Sequence, residues 1–234
     1  MKPHAGAIAL IVWAAAASVE AATPTPETLM AWDAHVRVTE ARIEQELMNG
    51  PRAEERVLAG RTLHVPGGMI QQWRGTVFLP GVGIDALLAR LQDPEHAPLQ
   101  EEVVALKVLR RRPGGLDLFI RMTRRKIVSV TYDTEHHVTF QRHSPSRASS
   151  RSVATKIIEV NASEDRGFLW RLNSYWRYEQ TAGGVIVELE SLTLSRDVPF
   201  GLGSLVGPLI NRVARDSVDR TLEHLRRTHA PAAD

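Results

Sequence analysis

Residues 168–196, FLWRLNSYWRYEQTAGGVIVELESLTLSR, indicate the fold because they combine two strand-length runs with a turn between them. The first run is rich in aromatic residues and the second in β-branched ones, and both kinds are typical of strands. The glycines of Thr181-Ala182-Gly183-Gly184 suit the tight turn of a hairpin. We therefore predict antiparallel strands over 168–180 and 185–196, and the helical period that follows predicts a long helix over 203–226.

Strand and turn signals also fill the chain before this hairpin. Asp133-Thr134 is predicted to be a turn, and residues 144–149 have the composition of a loop. Residues 83–92 have the apolar spacing of a short helix. The predicted strands are 57–65, 69–79, 101–112, 116–132, 136–143 and 151–161.

An amphipathic helix is predicted to precede the strands. Thr25 is placed as its N-cap and Pro26 as its first helical residue, and Asn49-Gly50-Pro51 ends it. We expect its apolar stripe to dock against the outside of the domain, with recruitment of a partner as the alternative. The stripe consists of Leu29, Trp32, Val36, Ile43 and Leu47.

This order of elements favours the α+β class. We expect a curved antiparallel sheet of about seven strands around the C-terminal helix, with all helices on one side and an apolar pocket between the layers. The predicted segments are a signal peptide over 1–21, a leader with the amphipathic helix over 22–51, the main domain over 52–229 and a flexible tail over 230–234.

The N-terminus has the pattern of a secretion signal. Lys2 supplies a positive charge, residues 5–17 form a short apolar run, and small residues surround a cleavage position after Ala21. A membrane-spanning helix needs ~20 apolar residues, and Glu20 interrupts the run before that length is reached. We therefore expect an exported, periplasmic protein, with an uncleaved anchor as the alternative.

Composition argues against several functions. The chain has 29 Lys and Arg against 27 Asp and Glu, a formal charge of +2, so nucleic acid is not an expected partner. The sequence has no cysteine, which rules out disulfides and thiolate catalysis. His136 and His137 are neighbours on a predicted strand, so their side chains point to opposite faces and cannot chelate one ion. We expect neither a metal nor a cofactor.

The hairpin and the residues after it resemble one superfamily. The residues that carry the resemblance are Trp170–Tyr178, Gly183–Val185, Glu188–Ser191 and Leu194–Leu202. They are similar to an exported bacterial branch of the START-like (SRPBCC, helix-grip) superfamily, which includes polyketide cyclases, lipid-transfer domains and coenzyme Q-binding proteins. The resemblance implies the helix-grip fold, and it assigns no catalytic residue, because this fold hosts binding proteins and enzymes alike.

Aromatic and polar residues on the predicted strands are the candidates for the pocket wall. Arg121 shares a strand face with Phe119. Glu190 is expected either to pair with Arg196 or Arg121 or to hold the polar group of a ligand. The candidate ligand-binding residues are Trp73, Phe119, Arg121, Tyr132, Phe140, Trp176, Tyr178, Glu190, Phe200 and Leu202.

Three functions remain open at this point. The first is a monomeric periplasmic carrier that sequesters a lipid, quinone or polyketide-like molecule and contacts membranes only transiently. The second is a cyclase, dehydratase or hydrolase. Its acid, base or oxyanion donor would be Arg121, Tyr132, His137 or Glu190. The third is an envelope protein whose N-terminal helix recruits a partner.

Overall fold

The computed structural model describes residues 23–49, 58–125, 129–160, 168–197 and 203–229, so the predicted signal peptide and C-terminal tail lie outside it. Within these ranges the chain forms three α-helices, eight strands and a short 3-10 helix (Pro94–His96). The helices are α1 (Pro26–Asn49), α2 (Ile84–Leu91) and α3 (Gly203–Thr228). The strands are β1 (Ala59–Val65), β2 (Gly68–Pro80), β3 (Val103–Arg112), β4 (Gly115–Arg125), β5 (Ser129–Ser144), β6 (Arg147–Glu159), β7 (Leu169–Thr181) and β8 (Gly184–Arg196).

All the described strands belong to one antiparallel sheet with the order β1-β2-β8-β7-β6-β5-β4-β3. Strands β3 to β8 follow one another as neighbours, and β8 then pairs with β2 along its whole length. The predicted α+β class and antiparallel sheet are confirmed. The sheet has eight strands rather than about seven, since the predicted segments 57–65 and 69–79 form two separate strands, β1 and β2, that pair with each other.

Two predicted turns are placed differently in the structure. The predicted strand 116–132 is two strands, since β4 ends at Arg125 and β5 begins at Ser129, and Asp133 and Thr134 lie inside β5. These turn-forming residues are accommodated because Arg121 of β4 donates to both carboxylate oxygens of Asp133, each at 2.6 Å. The predicted loop 144–149 is shorter than expected, and β6 begins already at Arg147.

The sheet has two covered faces, and the helices are divided between them. α2 and α3 cover the inner face, where Val218 and Leu222 of α3 pack on the apolar residues of β2 and β8. α1 covers part of the outer face, where Trp32 and Ile43 pack on Ile70 and its neighbours. The expectation that all helices lie on one side is therefore wrong. Strands β2 and β8 present apolar side chains to both faces, so each face needs its own cover.

α1 begins where the sequence predicts. Thr25 Oγ1 accepts a hydrogen bond from the backbone N–H of Thr28 at 3.2 Å, which caps the helix. Thr28 Oγ1 in turn donates to Pro66 O at 2.5 Å, so the first turn of α1 is tied to the β1–β2 connection. The apolar stripe of α1 faces the sheet, which confirms that the helix docks on its own domain.

α3 connects two distant parts of the sheet. It approaches β2 so closely that a Cβ on Gly75 would lie 2.7 Å from Leu222 Cδ1 and 3.3 Å from Val218 Cγ1. On another side of α3, Arg220 pairs at 2.9 Å with Glu102, which directly precedes β3. Because β2 and β3 lie near opposite ends of the strand order, the sheet must curl around α3 to reach both.

Gly75→Val tests the close approach of α3 to β2. A shift of the flexible Leu222 side chain can accommodate one added methyl group, but the branched valine would also press on Val218. We expect the free energy of unfolding, measured by urea denaturation, to fall by about 1–3 kcal/mol. Gly83→Ala is the control, since a Cβ there would meet nothing within 4 Å. An equal effect of both substitutions would contradict the proposed packing.

Candidate functional site

A group of polar side chains occupies the middle of the inner face, on strands β5 to β8. Cross-strand partners share a face of the sheet, and Ser174 lies opposite Ser152 on one side and Ser191 on the other. We call this group the inner polar cluster. It consists of Thr134, His136, Ser150, Ser152, Ser174, Tyr178 and Ser191.

Part of the inner polar cluster forms a continuous hydrogen-bonded relay from β6 to β4. Thr134 Oγ1 donates to Ile120 O at 3.0 Å. The His136 ring lies between two hydroxyl groups, with Nε2 at 3.0 Å from Thr134 Oγ1 and Nδ1 at 3.1 Å from Ser152 Oγ. The imidazole therefore has a partner on each nitrogen, and the relay ends at the hydroxyl of Ser152.

Burial keeps the relay uncharged. His136 is only 6% exposed, and Thr134 is completely buried. Burial lowers the pKa of His136 to about 4, so its imidazole is neutral near pH 7. Burial also raises the pKa of Tyr178, whose hydroxyl lies 2.8 Å from Ser150 Oγ. These groups can therefore offer a ligand hydrogen bonds rather than charge.

Apolar side chains border the inner polar cluster on two sides. Toward β4 they are Leu116, Leu118, Ile120, Val138 and Phe140. Toward β8 and β2 they include Trp73, Trp176, Val187 and Leu189. A few polar groups between apolar walls are the usual composition of a site for a small amphiphilic molecule.

The structure divides the predicted site residues between the two faces. Those on the inner face are Trp73, Tyr132, Phe140, Trp176 and Tyr178. Those on the outer face are Phe119, Arg121 and Glu190. Phe200 and Leu202 lie outside the described residues. Contact of the inner-face residues with a ligand stays a prediction.

Phe119 and Arg121 are turned away from the inner face. Side chains alternate along a strand, and on β4 the inner positions belong to Leu118 and Ile120. Arg121 instead pairs with Asp133, and its guanidinium carbon lies 6.0 Å from the centre of the Phe119 ring. Their assignment to the wall of an inner pocket is therefore corrected.

Glu190 is also turned away from the inner face, and it lies beneath α1. Its carboxylate is buried and accepts hydrogen bonds from Arg42 Nη2 and Gln72 Nε2, each at 2.5 Å. Neither Arg196 nor Arg121, the predicted partners, makes this contact. The structure thus supports the structural pairing of Glu190 and corrects its assignment to the pocket wall.

Glu190 belongs to a larger ionic network between α1 and the sheet. The network consists of Arg42, Arg74, Arg177, Glu46, Glu188 and Glu190. Glu46 of α1 contacts Arg74 at 3.1 Å and Arg177 at 2.5 Å, and both arginines also contact Glu188. The equal numbers of acidic and basic groups leave each charge paired, so the network holds α1 on β2, β7 and β8 without an unbalanced buried charge.

The adjacent histidines point to opposite faces, as the strand alternation predicts. His136 belongs to the inner polar cluster, whereas His137 Nδ1 lies 2.8 Å from Asp117 Oδ1 on the outer face. The acid–base hypothesis named His137, which the structure places on the outer face. A signal was present in the sequence, since Val138 and Phe140 are apolar and alternate in phase with His136.

Two kinds of feature are absent from the residues that the structure describes. In those ranges, no three His, Asp or Glu side chains come together as a set of metal ligands. Over the same ranges, no helix combines the length and the apolar composition that crossing a membrane requires.

Known structures share this architecture. A STAR-related lipid transfer protein from Xanthomonas axonopodis is 18% identical, with a TM-score of 0.51, and the match covers 74% of this chain and 98% of that one. The chain has a START-like, helix-grip fold.

Two further known structures have lower TM-scores. Human StAR-related lipid transfer protein 5 is 13% identical, with a TM-score of 0.49 and coverage of 83% of this chain and 95% of that one. The Zhui aromatase/cyclase from Streptomyces sp. R1128 is also 13% identical, with a TM-score of 0.44 and coverage of 70% and 99%. No protein-family model matches the chain, and no curated protein matches it.

Arg177→Met tests the ionic network. The substitution leaves the three carboxylates of the network with only two arginines, so one negative charge is unbalanced, and we expect a loss of about 3–5 kcal/mol in the free energy of unfolding at pH 7. Burial alone would raise the pKa of Glu46, but the hydrogen bond from Arg42 and the charges of Arg177 and Arg74 lower it overall. Its stabilising effect is thus present above its ordinary pKa of 4.5 and disappears as the pH falls through the lower folded value.

The difference between wild type and Arg177→Met should therefore shrink as the pH is lowered from 5 toward 3 in urea denaturation curves. Arg226→Met is the control, because Arg226 pairs with Glu223 on the exposed side of α3. We expect no measurable loss in that variant. A stability of Arg177→Met equal to that of the control at pH 7 would contradict the role of the network.

Proposed function

We propose that the protein is a periplasmic carrier that binds a hydrophobic small molecule, such as a lipid, a quinone or a polyketide-like compound, between the inner face and α3. The observation that carries the proposal is the inner polar cluster, which lies between apolar walls on the face that α3 covers. The similarity in fold to the Xanthomonas lipid transfer protein agrees with this ligand class.

Binding rests on two physical contributions. Apolar ligand surface that is buried contributes about 25 cal/mol per Å². The half-buried Trp176 and Phe140 stand on either side of the inner polar cluster and supply apolar surface for it. The hydroxyl groups then fix the orientation of the ligand's polar end, because a buried polar atom without a partner is costly.

The geometry favours binding over the acid–base chemistry considered from the sequence. Of the four residues proposed for catalysis, Arg121, His137 and Glu190 are on the outer face, and Tyr132 alone is on the inner face. The inner histidine, His136, is a weak base because burial lowers its pKa to about 4.

Ligand uptake is tested by native mass spectrometry and by filling the site. Protein from a periplasmic extract should carry a stoichiometric apolar adduct that extraction identifies. Ser174→Trp places a large ring at the centre of the inner polar cluster, and we expect it to weaken uptake at least tenfold. Thr139→Trp adds the same ring at an exposed position on the outer face and should bind normally. Unchanged binding by Ser174→Trp, or no uptake by the wild type, would refute the carrier function.

The periplasmic location is tested separately. Cell fractionation should find the protein in the periplasm, and its intact mass should correspond to a chain that begins at Ala22. A full-length chain in the cytoplasmic fraction would contradict the proposal. The monomeric state and the transient membrane contact stay predictions.

A further inference from the structure

The carbonyl oxygen of Ile120, at one end of the relay, determines which atom donates in each of the relay's hydrogen bonds. Ile120 O is a carbonyl oxygen and can only accept, so the single hydroxyl proton of Thr134 is used in donating to it at 3.0 Å. Thr134 Oγ1 must therefore accept the hydrogen bond from His136 Nε2, which lies 3.0 Å away. This contact places the imidazole proton on Nε2.

The same reasoning extends to Ser152. A neutral imidazole carries one proton, so Nδ1 of His136 is an acceptor. Ser152 Oγ lies 3.1 Å from it and must donate. With its only proton used, the Ser152 hydroxyl has lone pairs and no proton left for another partner. His136 and Thr134 are buried, whereas Ser152 is partly exposed, so Ser152 is the most accessible of the three side chains of the relay.

The surroundings of Ser152 on the inner face are uncharged. Its cross-strand neighbours are Val138 on β5 and Ser174 on β7, and Ala154 and Ser150 lie two residues away along β6. A charged group placed here would lose its hydration without gaining an opposite charge. For a hydroxyl group of a ligand, the free-energy cost of leaving water would be small, because Ser152 Oγ accepts its hydrogen bond.

We propose that the ligand's polar end is an uncharged hydroxyl group that donates a hydrogen bond to Ser152 Oγ. The protein then selects apolar alcohols over analogues in which the hydroxyl is capped as an ether. This inference rests on the proposed carrier function. In it, Ser152 contacts the ligand, and His136 and Thr134 are positioning residues that act through Ser152.

The first test determines which ring nitrogen of His136 carries the proton in the absence of a ligand. In two-dimensional ¹H–¹⁵N spectra that correlate ring nitrogens with carbon-bound protons, His136 should have the pattern of a protonated Nε2 and an unprotonated Nδ1 at pH 7. A protonated Nδ1, or a charged ring, would overturn the inference whatever the protein binds. This outcome would leave the carrier function untouched.

The second test compares 1-hexadecanol with its methyl ether, which keeps the oxygen but lacks the donor. Each competes with the neutral fluorescent probe N-phenyl-1-naphthylamine for the wild-type protein. We expect the alcohol to bind about tenfold more tightly than the ether, because the ether leaves both oxygens as unpaired acceptors. Equal affinities would overturn the inference while preserving the carrier function, whereas failure of the probe and both ligands to bind would overturn both.

Substitutions in the relay test whether it causes the preference for the alcohol over the ether. In Ser152→Ala the alcohol-to-ether ratio should fall to near one, because the acceptor is removed. In Thr134→Val the imidazole is no longer fixed, and Ser152 becomes free to donate to the ether, so the ratio should fall as well. Ser149→Ala, on the same strand but facing outward, is the control and should keep the wild-type ratio. A ratio that stays near ten in Ser152→Ala would refute the role of Ser152, and this result does not depend on the folding of the Thr134 variant.

Discussion

The register between β2 and β8 is the constraint on which the rest of the structure depends. It pairs Arg74 with Glu190 and Gly75 with Leu189, so one pair belongs to the outer face and the next to the inner face. A slip of one residue would exchange the faces and bring the Glu190 carboxylate into the apolar layer beneath α3. It would also separate Glu190 from Arg42 of α1. The ionic contact of α1 with Glu190 and the apolar contact of α3 with the inner face therefore require the same register.

The position of α3 follows from that register and determines what the inner face can do. Gly75 admits α3 close to β2, and Arg220 reaches Glu102 at the start of β3, so the sheet curls around the helix. Strands β4 to β8 consequently present a concave surface on the side of α3. Hydroxyl groups on an open sheet would be hydrated, but on this face His136 and Thr134 are removed from water. Their partners must then come from the protein itself, which is the reason for the relay.

The sequence predicted the architecture because strand alternation, helical period and turn residues are local signals. The hairpin of β7 and β8, the N-cap at Thr25 and the long C-terminal helix all follow from such signals. The turn predicted at Asp133-Thr134 was wrong because three cross-strand hydrogen bonds outweigh the turn preference of these residues. No local pattern contains that information, since the partners are more than ten residues away.

The site was predicted less completely because it depends on which face each residue occupies. Of the residues predicted to contact a ligand, Trp73 and Trp176 lie on the inner face, whereas Arg121 and Glu190 lie on the outer face. Their charges suggested a ligand, whereas their partners are an acid on the next strand and an arginine of α1. Ser152 was missed because an isolated serine carries no signal until its neighbour His136 is known to be buried beside it.

The two faces satisfy buried polar groups in different ways, and the difference explains why the proposed ligand is assigned to the inner one. On the outer face, Glu190 accepts from both Arg42 and Gln72, and the neighbouring charges are paired within the same network. Such a network has its bonding capacity filled by the protein and gains little from a further molecule. On the inner face the relay begins at the carbonyl of Ile120 and ends at a hydroxyl that still has lone pairs. These free lone pairs lie on the side that α3 covers. Water competes least for a hydrogen bond there, so a single hydrogen bond has its largest effect on which ligand is bound.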